Sequence, residues 1–218
     1  YFKAQGREDD WIEFRPDEDA VYDEEITINL NDLQPLAAKP HSPDNVEEVE
    51  SIGKIKVDQV AIGSCTNSSY EDLMKVARIL RGKKVHKDVS LVIAPGSRQV
   101  MEMIARNGAL GDIISAGARI LENSCGPCIG MGQAPGTEGV SLRTFNRNFY
   151  GRSGTLSAKV YLVSPETAAV SAINGVLTDP RECDVNINIE MPKEFLIDDS
   201  MIIAPEEDGE NVEVVRGP

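Results

Sequence analysis

Residues 57–80, VDQVAIGSCTNSSYEDLMKVARIL, decide the fold. Val57 to Ile62 reads as a strand, and Tyr70 to Leu80 carries Leu73, Val76, Ala77 and Leu80 at the i, i+3, i+4, i+7 spacing of a buried helical stripe. Ser68-x-x-Glu71 has the pattern of a capping box and predicts the start of that helix. The result is one β-loop-α unit. Val89 to Ala94 (VSLVIA), then Pro-Gly, then Arg98 to Arg106 predict a second unit, and Ala118 to Glu122 a third strand that runs into Cys125. Val140 to Phe145 and Lys159 to Val163 add two strands, the latter followed by Pro165 at a helix start and a helical run to Ile173. Strands alternating with helices imply a three-layer α/β/α domain with a mainly parallel sheet covered on both faces.

Working outward, Glu25 to Leu30 (EITINL) alternates apolar and polar residues and predicts a half-buried strand, and the proline-containing stretch Gln34 to Asp44 predicts a loop. Residues 1–24 are acidic and aperiodic, a lead-in segment. Residues 25–197 form the main α/β domain in this reading, and the acidic, turn-rich residues 198–218 suit a linker toward a further domain. A first residue that is Tyr rather than Met, and a last run VEVVRGP that stops just after a strand-like stretch, suggest a piece of a longer protein.

A chain of 218 residues, 41% hydrophobic, can bury one substantial core. Its formal net charge of -14 speaks against a nucleic-acid surface, because phosphate binding draws on clustered Lys and Arg. An anionic substrate would need a local cationic site. No apolar run approaches the roughly 20 residues of a membrane helix, and the first residues have no leader-like apolar region. The expectation is a protein of the cytoplasm. Its 4 cysteines are too few for a disulfide scaffold and fit a reducing compartment and a metal site.

Cys65 follows a predicted strand and precedes a predicted helix, which sets it at the carboxyl edge of the sheet, where a helix N-terminus favours a thiolate. A cysteine in that position, taken alone, is better explained as a buried structural residue. Cys125 and Cys128 occur as Cys-Gly-Pro-Cys, also just after a predicted strand. Such a pair is shared by zinc sites, iron-sulfur clusters and thioredoxin-like redox pairs. The redox reading wants a helix directly after the first cysteine, whereas Gly126, Pro127, Gly130 and Gly132 keep this backbone loose. Spacing favours the cluster over zinc, although Cys183 or a histidine could complete a four-ligand zinc site. Cys183 itself lies in a charged stretch and reads as a bystander, and His41 and His86 read as solvated. Arg147 and Arg152, in Asn146-Arg-Asn-Phe-Tyr-Gly-Arg, could form a fork for carboxylates, though a solvated basic turn is the commoner meaning of such a run.

In this order, IGSCTNSSYEDL, ENSCGPCIGMG, FNRNFYGRSG and YLVSPETAA resemble the signature segments of the aconitase family. The resemblance implies that Cys65, Cys125 and Cys128 hold a 4Fe-4S cluster and that Asn146, Arg147 and Arg152 bind substrate. It implies reversible dehydration and rehydration of a hydroxy di- or tricarboxylic acid. The stretch SCGPCIGMGQ looks more like aconitate hydratase, acting between citrate and isocitrate through cis-aconitate, than like homoaconitase or isopropylmalate isomerase. The family takes its catalytic His, Asp and Ser from segments outside the matched ones. The catalytic set is therefore incomplete here, and the expected partners are the small carboxylate substrate and the remaining domains of a parent enzyme. A non-catalytic domain with structural zinc or an iron-sensing role is the rival of another class.

Overall fold

The computed structural model describes residues 1–213. Its strands are β1 (Leu36–Ala38), β2 (Val46–Glu48), β3 (Gln59–Gly63), β4 (Ser90–Ala94), β5 (Arg119–Ile120), β6 (Val140–Arg143) and β7 (Lys159–Leu162). Its α-helices are α1 (Val49–Ile52), α2 (Tyr70–Leu80), α3 (Arg98–Arg106), α4 (Ala109–Ala116) and α5 (Pro165–Asn174). The strands make one sheet in the order β2-β1-β7-β6-β3-β4-β5. From β7 to β5 all neighbours run parallel, and β1 pairs antiparallel with β7 and with β2. This is the mainly parallel α/β domain that the alternation of strands and helices predicts.

β3 is the axis of the sheet, and every one of its residues is buried, as a strand covered on both faces requires. Val60, Ile62, Leu91, Ile93 and Leu142 turn to one face, where they meet Leu73, Val76, Ile104, Ile113 and Ala168 from α2, α3, α4 and α5. Burying one such Leu or Ile side chain is worth roughly 1.5–3 kcal/mol. Ala61 and Val92 turn to the other face and pack on Cys128 and Phe145. The outer layer there is thin: a 3-10 turn, Gly126–Ile129, with its flanking segment.

The caps explain where the helices begin. Ser69, one residue later than the expected Ser68, caps α2, its hydroxyl accepting from the Asp72 amide at 3.2 Å while the Asp72 carboxylate accepts from the Ser69 amide at 3.0 Å. Ser68 is unavailable because its hydroxyl donates to the Ser64 carbonyl. Ser97 caps α3 and Ser164 caps α5 through the hydroxyl alone, which accepts from the Val100 and Thr167 amides, with Pro165 at the first turn of α5.

Three local expectations need correction. EITINL forms no strand: Ile26 and Ile28 are 74% and 63% exposed, because alternation alone supplies no partner edge to pair with. The stretch Gln34 to Asp44 is not all loop, since it contains β1, which buries Ala37 and pairs with β2 and β7. Three residues between Pro35 and Pro40 are too short to show a period. α4 has no counterpart in the sequence reading, because Gly108, Gly111 and Gly117 break its pattern, yet it buries Ala109, Ile113 and Ala116. Residues 214–218 of the expected linker lie outside the described residues.

Candidate active site

The strand order puts a switch point at β3. The chain leaves β3 through α2 toward β4 and β5 on one side, and returns from β5 to β6 on the other. Connections that diverge in this way open a crevice at the carboxyl ends of the strands, where α/β domains bind ligands. Cys65 follows β3, Cys125 and Cys128 follow β5, and the Asn146 loop follows β6. All three expected segments therefore share one edge of the sheet.

At the end of β3, Gly63 has φ +122° and Ser64 φ +65°. A Cβ at Gly63 would lie 2.0 Å from the Ala94 carbonyl oxygen, so only glycine permits this approach of β3 to β4. The turn buries Ser64, whose Oγ lies 3.0 Å from the Cys128 sulfur, and leaves Cys65 exposed. The Gly63 amide donates to Thr144 Oγ1 at 2.8 Å, and Asn67 Nδ2 donates to the Thr144 carbonyl at 2.5 Å. The Cys65 loop is thus stitched to the residues that lead into Asn146.

Cys125 is exposed and Cys128 is buried at the 3-10 turn. The Thr66 hydroxyl, with Ser64 and then Cys125 contributing, holds the Cys65 thiol below its usual range. Charge on Cys128, and then on Cys65, pushes Cys125 up. The hydroxyls of Thr66 and Ser64 thus set the shift of Cys65, whereas that of Cys125 comes from the neighbouring sulfurs. Among the described residues, no group of three or more His, Cys, Asp or Glu side chains is arranged around a single metal ion. Cys183 lies elsewhere, beyond the C-terminus of α2, where Lys83 Nζ donates to its sulfur at 3.6 Å. It cannot join the other three without refolding.

The Asn146 loop divides into exposed and buried members. Asn146 and Arg147 are exposed. Asn148 is fully buried, its Nδ2 donating to the Lys39 and Val160 carbonyls at 2.9 and 3.1 Å, which fastens the loop to the sheet. Arg152 lies over the Phe149 ring, 5.4 Å from its centroid. Among the described residues, Arg152 Nε, Ser153 Oγ and Asn148 Oδ1 are buried without a hydrogen-bond partner. His41 is exposed, as expected, and its ring meets Tyr150 of this loop edge-on at 4.9 Å.

The residue absent from the sequence reading is Arg143, at the end of β6 and 1% exposed. Burial pushes its guanidinium down to about 10, against an opposing contribution from Cys128. The available signal was an arginine set inside an otherwise strand-like run, VSLRTF.

Comparison with known proteins bears on this arrangement. Residues 47–175 match the model of the aconitase family (aconitate hydratase). The chain is 49% identical over 167 residues to the 3-isopropylmalate dehydratase large subunit 1 of Methanopyrus kandleri, covering 76% of this chain and 40% of that one. It is 44% identical over 178 residues to large subunit 2 of the same name from Archaeoglobus fulgidus, covering 81% and 43%. Against large subunit 1 from Thermotoga maritima it is 44% identical over 185 residues, covering 83% and 44%. The chain thus spans less than half the length of these relatives. With the family match extending over more than half of its residues, and with Cys65, the Cys125 pair and the Asn146 loop at one sheet edge, this chain belongs to the aconitase family.

Proposed function

We propose that this chain is the cluster-holding and substrate-holding part of a hydro-lyase that removes and restores water on an isopropyl-substituted malate. The observation that carries the reading is the convergence of Cys65, Cys125, Cys128 and the Asn146 loop at the switch point of the sheet. The expectation of citrate gives way to the isopropylmalate alternative, because the relatives at 44–49% identity bear the isopropylmalate dehydratase name. Exposed Ile129, Met131 and Tyr150 on the same loops suit a substrate with a branched alkyl group.

Cys65, Cys125 and Cys128 fit a 4Fe-4S cluster by donor chemistry. They are thiols on loops of one sheet edge, and Ser64 and Thr66 are hydroxyl neighbours able to donate to sulfur. Held there, the cluster supplies Lewis acidity toward the hydroxyl that leaves. The protein's own part is orientation. Arg152 offers a buried Nε–H without a partner, and a substrate carboxylate would satisfy it. Arg147, exposed on the same loop, is free to hold a second carboxylate, and Asn146 adds an amide. Fixing both carboxylates aligns the carbon–oxygen and carbon–hydrogen bonds that break.

The test is anaerobic reconstitution with iron and sulfide. About four irons and four sulfides per chain are expected, lost on Cys65→Ser, with isopropylmalate perturbing the cluster's absorption more than citrate does. Zinc uptake without sulfide would place the chain with the structural-zinc rival. A stronger response to citrate would restore the aconitate hydratase reading.

A further inference from the structure

Among the described residues, Arg143 is the largest of the fully buried side chains, and none of its hydrogen bonds goes to a carboxylate. Nε donates to Ser141 Oγ at 3.0 Å, Nη1 to the Pro127 carbonyl at 2.6 Å, and Nη2 to Gln59 Oε1 and the Gln133 carbonyl at 2.9 and 3.0 Å. A guanidinium is almost never buried without a counter-charge, since removing it from water is expensive and neutral acceptors return only part of that cost. The surroundings are built to hold it. Gln59 and Ser141 are register partners on β3 and β6, the Ser141 hydroxyl donates to Gln59 Oε1 at 2.7 Å, and Gln59 Nε2 donates to the Ala134 carbonyl at 2.9 Å. The Phe145 ring, 5.3 Å from the guanidinium carbon, packs against Cys128 as well.

The carbonyls gripped by this clasp, those of Pro127, Gln133 and Ala134, bracket the loop that carries Cys128, and Pro127 is its immediate neighbour. The one anion-forming side chain that loop brings to the buried face is the Cys128 thiol, 5% exposed. We propose that Arg143 is a positioning residue for the cluster: it ties the Cys125–Cys128 loop to β6 and supplies the fixed positive charge that balances the thiolate-held, anionic group. The inference rests on the cluster reading above. It adds a residue that acts through the protein's own loop and touches no substrate.

The experiment compares the wild-type chain with Arg143→Met and Arg143→Lys. In the metal-free chain, Arg143→Met is expected to lose amide-exchange protection in residues 126–134 while β3 and α2 keep theirs. After anaerobic reconstitution, iron loss to a chelator should quicken about 10- to 100-fold, the scale seen when an outer partner of a metal ligand is removed. The cluster's reduction potential should move negative in Arg143→Met and stay near wild type in Arg143→Lys, which keeps the charge. A purely structural role would not divide the two variants in this way. Wild-type exchange, iron loss and potential in Arg143→Met would overturn the proposal. If Arg143→Met does not fold, Arg143→Lys decides: faster loop exchange with an unchanged potential supports it, and a potential shifted negative despite the retained charge overturns it. A wild-type chain that takes up no iron would count against the proposed function instead. Loop exchange in the metal-free variants would then decide alone whether Arg143 holds the loop.

Discussion

Replacing Gly63 with Ala tests the turn that presents Cys65. The new Cβ would stand 2.0 Å from the Ala94 carbonyl oxygen and 2.8 Å from its carbon, both backbone atoms that cannot swing aside. The φ of +122° adds strain of its own for an L side chain, about 1–3 kcal/mol. Separating β3 from β4 to relieve the clash would break the 2.8 Å hydrogen bond from the Ser64 amide to the Ala94 carbonyl. Leaving those buried groups unpaired costs about 1–3 kcal/mol. The sum is about 2–6 kcal/mol, or a fall of roughly 4–24 °C in melting temperature for a chain of this size. The control is Gly82→Ala, where φ is +70° but nothing lies within 4 Å, so strain acts alone. Urea denaturation of both variants beside wild type is the assay, with iron uptake as a second readout, since displacing Ser64 also disturbs its 3.0 Å contact with Cys128. If Gly63→Ala loses no more stability than Gly82→Ala, the close approach of the two strands is not what requires glycine.

Gly111→Ala, inside α4 with nothing within 4 Å and no positive φ, should raise stability by about 0.5–1 kcal/mol in the same denaturation assay. Asp179 is held below the usual carboxylate range by hydrogen bonds from Arg181, to which its oxygens lie at 2.6–3.0 Å. Its stabilisation is therefore present above the unfolded value, about 3.9, and is lost as pH falls through the lower folded value. Denaturation midpoints of wild type and Asp179→Asn should differ at pH 7 and converge as pH falls below the lowered folded value; a gap that stays constant with pH would refute this. Arg152→Lys keeps the charge but loses the planar fork, so the reconstituted chain should bind isopropylmalate about 10- to 100-fold more weakly by spectral titration, with an unchanged melting temperature. Unchanged binding would return Arg152 to an ordinary turn, and a collapsed melting curve would make it structural.

Much of this fold is written locally. α2 coincides with the run Tyr70–Leu80 read from its stripe, because an amphipathic helix records its buried face in its own spacing, and α3 coincides with Arg98–Arg106, read from its place after a strand and Pro-Gly. β3 and β4 appear as apolar runs for the corresponding reason, since a strand buried on both faces has no polar side to show. Where a short segment takes its structure from distant partners, local signals mislead. Leu36–Ala38 is a strand only because β2 and β7 flank it, and Glu25–Leu30 lacks such neighbours and remains exposed.

The site divides along the same line. The sequence by itself determined the family and, through strand–loop–helix order, that Cys65, the Cys125 pair and the Asn146 loop each follow a strand; in a parallel sheet all such loops emerge at one edge. Only the tertiary structure decided which of those loops adjoin. The order β6-β3-β4-β5 sets the Asn146 loop directly beside the Cys65 loop and sends the chain from β5 back across the sheet to deliver Cys128 beneath Ser64. Arg143 depends on that order entirely. It meets Gln59 across 84 residues of sequence and the Pro127 carbonyl across 16, and no spacing rule along the chain describes contacts made by strand pairing and a returning loop.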